Sequence, residues 1–363
     1  MLESFEVKTS GGAYKVLIGE GLYQDLEVQS QDIFLIDEYL LQQLPFLNEK
    51  IIAIPALESS KNLEYMSGVI EQMRTLGANR DTHVYAIGGG IIQDIATFVN
   101  SIYMRGLSWT YFPSTLLSMA DSCIGGKSSI NVRGYKNLVG NIYPPSAVFV
   151  DMDFCKTLGA NEIIGGLVEA VKICYARGSE AFDAYLSIYP HFPLAADDGS
   201  KVVSSALLAK KWFIEIDEFD RSERLLLNYG HTFGHALEAS SNFAIAHGVA
   251  VALGMLAANY YANLAGSLTS KGKARSARLD EYLVSILAPL EKDLKLILAK
   301  TDFQLVLSKF DGDKKHRQND YRMVIPQTDG NLVLISVPKG EASKNLIAKS
   351  YREAFMACGY LSL

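Results

Sequence analysis

The chain has 363 residues, 49% of them hydrophobic and 20% charged, and a formal net charge of −6. That length supports two domains with cores of their own, at roughly 100–200 residues per domain. An acidic balance without a long basic block argues against a nucleic-acid partner, because phosphate backbones are bound by clustered Lys and Arg, and no apolar run approaches the ~20 residues that span a bilayer. The N-terminus M-L-E-S-F-E-V-K lacks the basic-then-apolar order of a signal peptide, so a soluble, cytoplasmic protein is expected. Cys123, Cys155, Cys174 and Cys358 form no C-x-x-C pair and read as buried free thiols.

In chain order, I-F-L-I-D (33–37), I-I-A-I-P (51–55), V-Y-A-I (84–87), W-T-Y-F-P (109–113) and V-F-V-D (148–151) read as strands. Between them, 62–76 carries Leu63, Met66, Val69, Ile70 and Met73 at helical spacing, and 91–103 does likewise. This alternation predicts a mostly parallel sheet with helices on its faces. From about residue 155 the pattern changes: 162–176, 204–216, 232–241 and 248–265 predict helices. Strand signals return only at 321–326 and 332–337, as a small hairpin. The expected division is an α/β domain over 1–154 and a mainly helical one over 155–363.

Y-A-I-G-G-G-I-I-Q-D (85–94) joins a strand to a helix through Gly88, Gly89 and Gly90. Free N–H groups and a positive dipole end at that position suit a pyrophosphate. Gly88 and Gly90 meet the first two positions of G-x-G-x-x-G, but Gln93 stands at the third, so a plain tight turn remains the other reading. Asp37 ends an earlier strand, where a carboxylate takes a ribose hydroxyl in dinucleotide folds, and Glu58 and Lys61 follow the next strand.

N-Y-G-H-T-F-G-H-A-L-E puts His231 and His235 four apart on one helix face, and His247 follows in A-I-A-H-G-V-A. Two imidazoles with a carboxylate suit catalytic Zn²⁺. Glu169, in the apolar G-G-L-V-E-A-V-K-I, is the candidate acid; an ordinary Glu169–Lys172 pair is the alternative. Arg105, Lys127, Lys136, Asn137, Lys210, Arg224 and the pair Lys314 and Lys315 complete a basic and polar set, of which Arg105, Lys127 and Lys136 lie in turns of the kind that line sites.

Taken together, G-G-G-I-I-Q-D, Y-M-R-G, P-S-T-L-L-S-M-A-D-S-C-I-G-G-K, Y-K-N-L-V-G, G-L-V-E-A-V-K, R-L-L-L-N-Y-G-H-T-F-G-H-A-L-E and H-G-V-A-V-A-L-G-M resemble the 3-dehydroquinate synthase family of sugar phosphate cyclases, in order and across most of the chain. The resemblance implies a Rossmann-like dinucleotide-binding domain followed by a helical metal- and substrate-binding domain. It implies NAD at Asp37, Glu58, Lys61, Gly88, Gly89, Gly90, Asp94, Ser114, Thr115 and Asp121. Zn²⁺, or Co²⁺ in its place, falls to Glu169, His231 and His247. Substrate positions are Arg105, Lys127, Lys136, Asn137, Lys172, Lys210, Arg224, Asn228, His235 and one lysine of D-K-K, taken as Lys314 with Lys315 as the other choice.

The implied reaction converts 3-deoxy-D-arabino-heptulosonate 7-phosphate to 3-dehydroquinate, a step of aromatic amino acid biosynthesis by the shikimate pathway, in a homodimeric enzyme. Phosphate is eliminated after transient oxidation by NAD, so net redox is zero. Retention of Lys210, Arg224, Asn228 and His235 favours this substrate over those of the inosose- and valiolone-forming cyclases. A metal-dependent polyol dehydrogenase of the same fold is the remaining alternative, as is a homologue that binds ligand without chemistry. The chain departs from the family's usual pattern at Gln93 and Ser129, where glycines are common, and at Val132 and Arg133, where His-Pro is common.

Overall fold

The computed structural model describes residues 2–24, 26–44, 50–133 and 135–360. In chain order its strands and helices begin with β1 (Glu3–Thr9), β2 (Gly12–Gly19), β3 (Ile33–Asp37), β4 (Ile51–Ile54), α1 (Leu63–Thr75), β5 (Val84–Gly88) and α2 (Gly90–Ile102). Next come β6 (Trp109–Pro113), β7 (Ile130–Val132), β8 (Tyr135–Val139) and β9 (Ala147–Asp151). Helices α3 (Ala160–Arg177), α4 (Ser179–Ile188), α5 (Ala196–Ile216), α6 (His231–Ser240), α7 (His247–Leu264), α8 (Ser270–Leu287), α9 (Glu291–Lys300) and α10 (Phe303–Asp311) follow. The hairpin β10 (Asp320–Gln327) and β11 (Asn331–Pro338) precedes α11 (Glu341–Ala357).

The chain divides into two compact units, Met1–Leu158 with Ala196–Glu218, and Gly159–Ala195 with Phe219–Leu363. The first break falls close to the expected 154/155 boundary. Helix α5, which the sequence reading assigned to the helical domain, belongs to the first unit. It packs on β1 and on the helical turn Ser118–Ser122, burying Val202, Val203, Ala206, Leu207, Phe213 and Ile214. An amphipathic pattern says that a helix will bury one face, not which sheet will receive it.

The first unit is built on a seven-stranded sheet of order β1-β2-β9-β6-β5-β3-β4. Its β1–β2 pair is antiparallel and its other pairs are parallel. Strands β5 and β6 are buried along their whole length, which is why they read as continuous apolar runs. Edge strand β1 shows the partial alternation of a half-solvated strand. Because β3, β4, β5 and β6 are parallel, their carboxyl ends lie along one edge of the sheet, where ligands bind in open α/β folds.

In the second unit α7 is buried almost end to end and packs against α3, α6, α11 and β10. Glycines set how closely its neighbours approach. A Cβ on Gly248 would lie 2.3 Å from Gly165 Cα, one on Gly234 2.7 Å from the Ala250 carbonyl, and one on Gly254 2.1 Å from the Gly230 carbonyl. The helices therefore meet backbone to backbone, which aligns the first turns of α6 and α7 with the middle of α3. Among the described residues no helix is long and apolar enough to cross a membrane.

Candidate active site

In the first unit the glycine turn lies at the carboxyl edge of the sheet. Gly88 ends β5, Gly89 caps α2, and the Tyr111 hydroxyl donates to the carbonyls of both, at 3.0 and 3.2 Å. A Cβ on Gly88 would collide with Ile92 at 2.3 Å and one on Gly89 would press on Thr115 at 3.1 Å, whereas one on Gly90 would meet nothing within 4 Å. The turn is thus packed on its protein side and open at the first residue of α2, as an anion cradle at a helix N-terminus requires. Gln93 is buried and accounts for its own presence: its Nε2 donates to the Ser122 carbonyl at 2.6 Å, and Ser122 Oγ donates to its Oε1 at 2.6 Å. A glycine at this position would make neither bond.

Around the turn, charged side chains follow the neighbouring strands. Lys61 Nζ lies 3.1 Å from Asp94 Oδ2 and 3.7 Å from Glu58 Oε2. Asn131 Nδ2 donates to Glu58 Oε1 at 2.8 Å, and the Ser129 N–H donates to Asp94 Oδ1 at 3.0 Å. Ser129 gives only its backbone to that bond, so a glycine would make the same contact. Burial pushes the Asp94 carboxyl up to about 6, against the opposing pull of Lys61. Asp37 caps the turn after β3 by accepting from the Tyr39 N–H at 3.1 Å, and burial raises its carboxyl above the ordinary value. The Ser114 N–H donates to the Gly88 carbonyl at 3.0 Å, and Thr115 Oγ1 bonds Ser118 Oγ at 2.9 Å. Lys210, on α5, reaches Asp121 through both the carboxylate and the main-chain carbonyl, each at 2.5 Å.

The second unit gathers the other expected residues. Glu169 and Lys172 are buried on α3 and in direct contact with each other. Glu169 Oε1 faces Nε2 of His231 at 3.8 Å and Nε2 of His247 at 3.7 Å, too far for hydrogen bonds. Ligands about 2.1 Å from a tetrahedral ion sit roughly 3.4 Å apart, so this spacing fits a shared divalent cation. His231, His235 and His247 also offer ring nitrogens within 4.8 Å of one another. The tautomers suit metal binding: His231 Nδ1 lies 3.2 Å from the Tyr229 carbonyl and His247 Nδ1 lies 3.1 Å from Glu238 Oε2. Each Nδ1 is therefore the donor, leaving Nε2 with its lone pair towards Glu169.

Electrostatics separates the three imidazoles. Burial, then the charges of Lys172 and Lys315, holds His231 far below the ordinary histidine value. Burial and Lys315 push His235 down to about 4. For His247 burial pulls downward, but the bond to Glu238 and the charge of Glu169 outweigh it and the value rises. Lys315 is pushed down to about 8 by burial, and its ammonium has no hydrogen-bond partner among the described residues.

The sequence left the choice between Lys314 and Lys315 open and placed Lys314 in the substrate set. Lys314 is exposed, and Lys315 is the inward one, close enough to His231 and His235 to lower both. Arg224 is buried, while Asn228 donates to the Leu225 carbonyl at 3.1 Å in the turn before α6. Lys136 and Asn137 stand exposed on β8, Asn137 with φ of 54°, and Lys127 is half-buried in the segment that leads to Ser129. Arg105 is not brought to the glycine turn. It follows the far end of α2, whose 13 residues rise about 20 Å, in a turn where Met104, Arg105 and Gly106 all have positive φ. Glu238, and Asp313 with its Oδ2 3.9 Å from His235 Nδ1, were not singled out from the sequence. Glu238 carried a signal all the same, three residues after His235 and seven after His231 on one helix face.

Residues 51–165 match the family model described as 3-dehydroquinate synthase N-terminal, and residues 166–316 match that described as 3-dehydroquinate synthase C-terminal. The 3-dehydroquinate synthase of Saccharolobus solfataricus is 32% identical over 337 residues, covering 89% of this chain and 92% of that protein. The 3-dehydroquinate synthase of Campylobacter concisus is 30% identical over 361 residues, covering 96% and 99%. Among solved structures, a 2-deoxy-scyllo-inosose synthase complexed with carbaglucose-6-phosphate, NAD⁺ and Co²⁺ superposes with a TM-score of 0.82 at 22% identity, covering 97% of this chain and 100% of that one. A 2-epi-5-epi-valiolone synthase from Streptomyces hygroscopicus with NAD⁺ and Zn²⁺ bound gives 0.74 at 22% identity, covering 95% and 96%. At these identities the two structures speak for the fold.

Proposed function

The chain belongs to the 3-dehydroquinate synthase family, and on that premise we infer that it cyclises 3-deoxy-D-arabino-heptulosonate 7-phosphate to 3-dehydroquinate with elimination of phosphate. The observation that carries this reading is the arrangement of Glu169, His231 and His247 around one point, with Lys172 and the ammonium of Lys315 buried nearby. A polyol dehydrogenase has no need of such a cation set, whereas an acidic sugar phosphate does.

Glu169, His231 and His247 would hold a divalent ion, and the open first turn of α2 would take the pyrophosphate of NAD, with Asp37 at the adenosine ribose. When bound, NAD would supply a reversible hydride acceptor and the metal a Lewis acid for the oxygen on the carbon that is oxidised, which allows oxidation and reduction within one turnover. Lys61 keeps charge on Asp94 despite its burial and so holds the two side chains as a fixed pair beside the cofactor. Gln93 ties the start of α2 to Ser122 next to Asp121, which in turn holds Lys210.

Arg224, with Asn228, takes the substrate carboxylate; a planar guanidinium matches a carboxylate with two parallel bonds. Lys136, Asn137 and Lys127 serve the phosphate. His235 is neutral at pH 7 because its value lies near 4, so it accepts or donates a hydrogen bond without adding charge. Lys315, with a value near 8, is mostly an ammonium at pH 7 yet releases a proton at little cost, which suits a group that binds an anion and moves a proton in the same cycle.

The purified protein offered the seven-carbon acid phosphate, glucose 6-phosphate and sedoheptulose 7-phosphate in parallel is expected to release phosphate from the acid alone. Release from a neutral sugar phosphate with none from the acid would refute the substrate while leaving the family standing.

A further inference from the structure

Behind His231 lies a set of buried polar groups that the reaction above does not use. Tyr229 precedes the left-handed Gly230, whose φ is 76°. The first backbone bond of α6 runs from the Gly234 N–H to the Gly230 carbonyl at 2.8 Å, so the Tyr229 carbonyl stands outside the helix ladder. That carbonyl nevertheless meets His231 Nδ1 at 3.2 Å. The Tyr229 side chain is itself anchored. The ring is fully buried and stacked on Tyr175, with centroids 5.6 Å apart and 21° between planes. The hydroxyl donates to Asn259 Oδ1 on α7, and Asn259 Nδ2 donates to Asp280 Oδ1 on α8 at 2.6 Å. A buried amide needs an acceptor at one end and a donor at the other. Asp280 and Tyr229 supply one each, so the amide has a single satisfied orientation.

We propose that Tyr229, Asn259 and Asp280 form a positioning brace that fixes the Tyr229 carbonyl, and through it the tautomer and ring direction of His231 as a metal ligand. The proposal rests on His231 being a ligand, and it adds to that reading the three residues that hold the ligand in place. A bond from the distal nitrogen of a ligating histidine tunes metal affinity, commonly by about 10–100-fold when it is lost. Here that bond is held by a chain running through α7 to α8.

The test is Co²⁺ binding to the substrate-free protein, read as a dissociation constant by competition with a chelator, with the visible absorption of the bound cobalt and the Tm of the metal-free protein. Tyr229→Phe removes one hydroxyl, and Asp280→Leu keeps the size at the far end of the chain while leaving Asn259 Nδ2 without its acceptor. Tyr351→Phe is the control, because it removes a buried hydroxyl that donates to the Phe233 carbonyl of α6 at 2.7 Å without any bond to His231. Tyr229→Phe and Asp280→Leu are expected to weaken Co²⁺ by about tenfold or more and to shift its visible band, while Tyr351→Phe lowers Tm and leaves both unchanged. Lowered Tm with unaltered Co²⁺ affinity and spectrum in Tyr229→Phe and Asp280→Leu would make the set merely structural and overturn the proposal. Failure of the unsubstituted protein to bind Co²⁺ would instead remove the ligand reading, and the brace with it.

Discussion

At the scale of single residues, Lys315 separates packing from sequence. Two adjacent lysines in D-K-K are equivalent as letters; only the fold buries the ammonium of one and exposes the other. Lys315→Met is therefore expected to lower kcat/KM by about 10–100-fold, the value of one charge-assisted hydrogen bond, while Lys314→Met stays within about twofold. The pH dependence follows from the sign of the shift. With a value near 8, Lys315 is charged below that pH and neutral above it, so KM for an anionic substrate rises above about pH 8. In Lys315→Met that rise disappears, and its persistence would assign it to another group. Glu238 makes the second test. Glu238→Gln keeps the size and loses the charge that orients His247, and metal affinity measured by chelator competition should fall about 10–100-fold with the fold intact. The histidines, Glu169 and the glycine turn were legible because their residue types are rare or costly where they stand. Glu238 and Asp313 were less so, since a carboxylate on a helix or in a loop is ordinary until its neighbour is known.

Among elements, the glycines at the crossings of α6 and α7 decide the geometry of the histidines. Gly234→Ala would place a Cβ 2.7 Å from the Ala250 carbonyl, against backbone that cannot rotate away. It should cost about 1–3 kcal/mol by overpacking, read as a lower Tm, and should weaken metal binding by moving His235 and His231 off α7. Normal affinity with lowered Tm would mean that the crossing serves stability alone. The parallel strands and the helices of high periodicity were plain in the sequence, because strand and helix alternate there at short intervals. Strands β1, β2, β7 and β8 were not: β1 is a half-solvated edge strand and β8 is exposed along most of its length, β7 has only three residues in which to show a period, and β2, though apolar and interior, joins β1 directly, outside the alternation of strand and helix. Helix α5 was recognised as a helix but not as part of the first unit, because its partners β1 and Ser118–Ser122 lie some 90 to 200 residues earlier in the chain.

For the whole molecule, the proposed reaction calls on two chemistries that lie in separate units: a glycine turn at the carboxyl edge of a parallel sheet, and a carboxylate with two imidazoles among packed helices. The proposed reaction needs both, so removing the metal with a chelator should abolish turnover and Zn²⁺ or Co²⁺ should restore it, as an assay of phosphate release would record. Full activity in metal-free protein would end the assignment of Glu169, His231 and His247. The central claim is that oxidation and reduction cancel within each turnover. It is tested most directly by following phosphate release and NADH absorbance together, with 3-deoxy-D-arabino-heptulosonate 7-phosphate in large excess over enzyme and NAD. Many phosphates released per NAD with no accumulation of NADH are expected; one NADH formed for each substrate consumed would refute the claim.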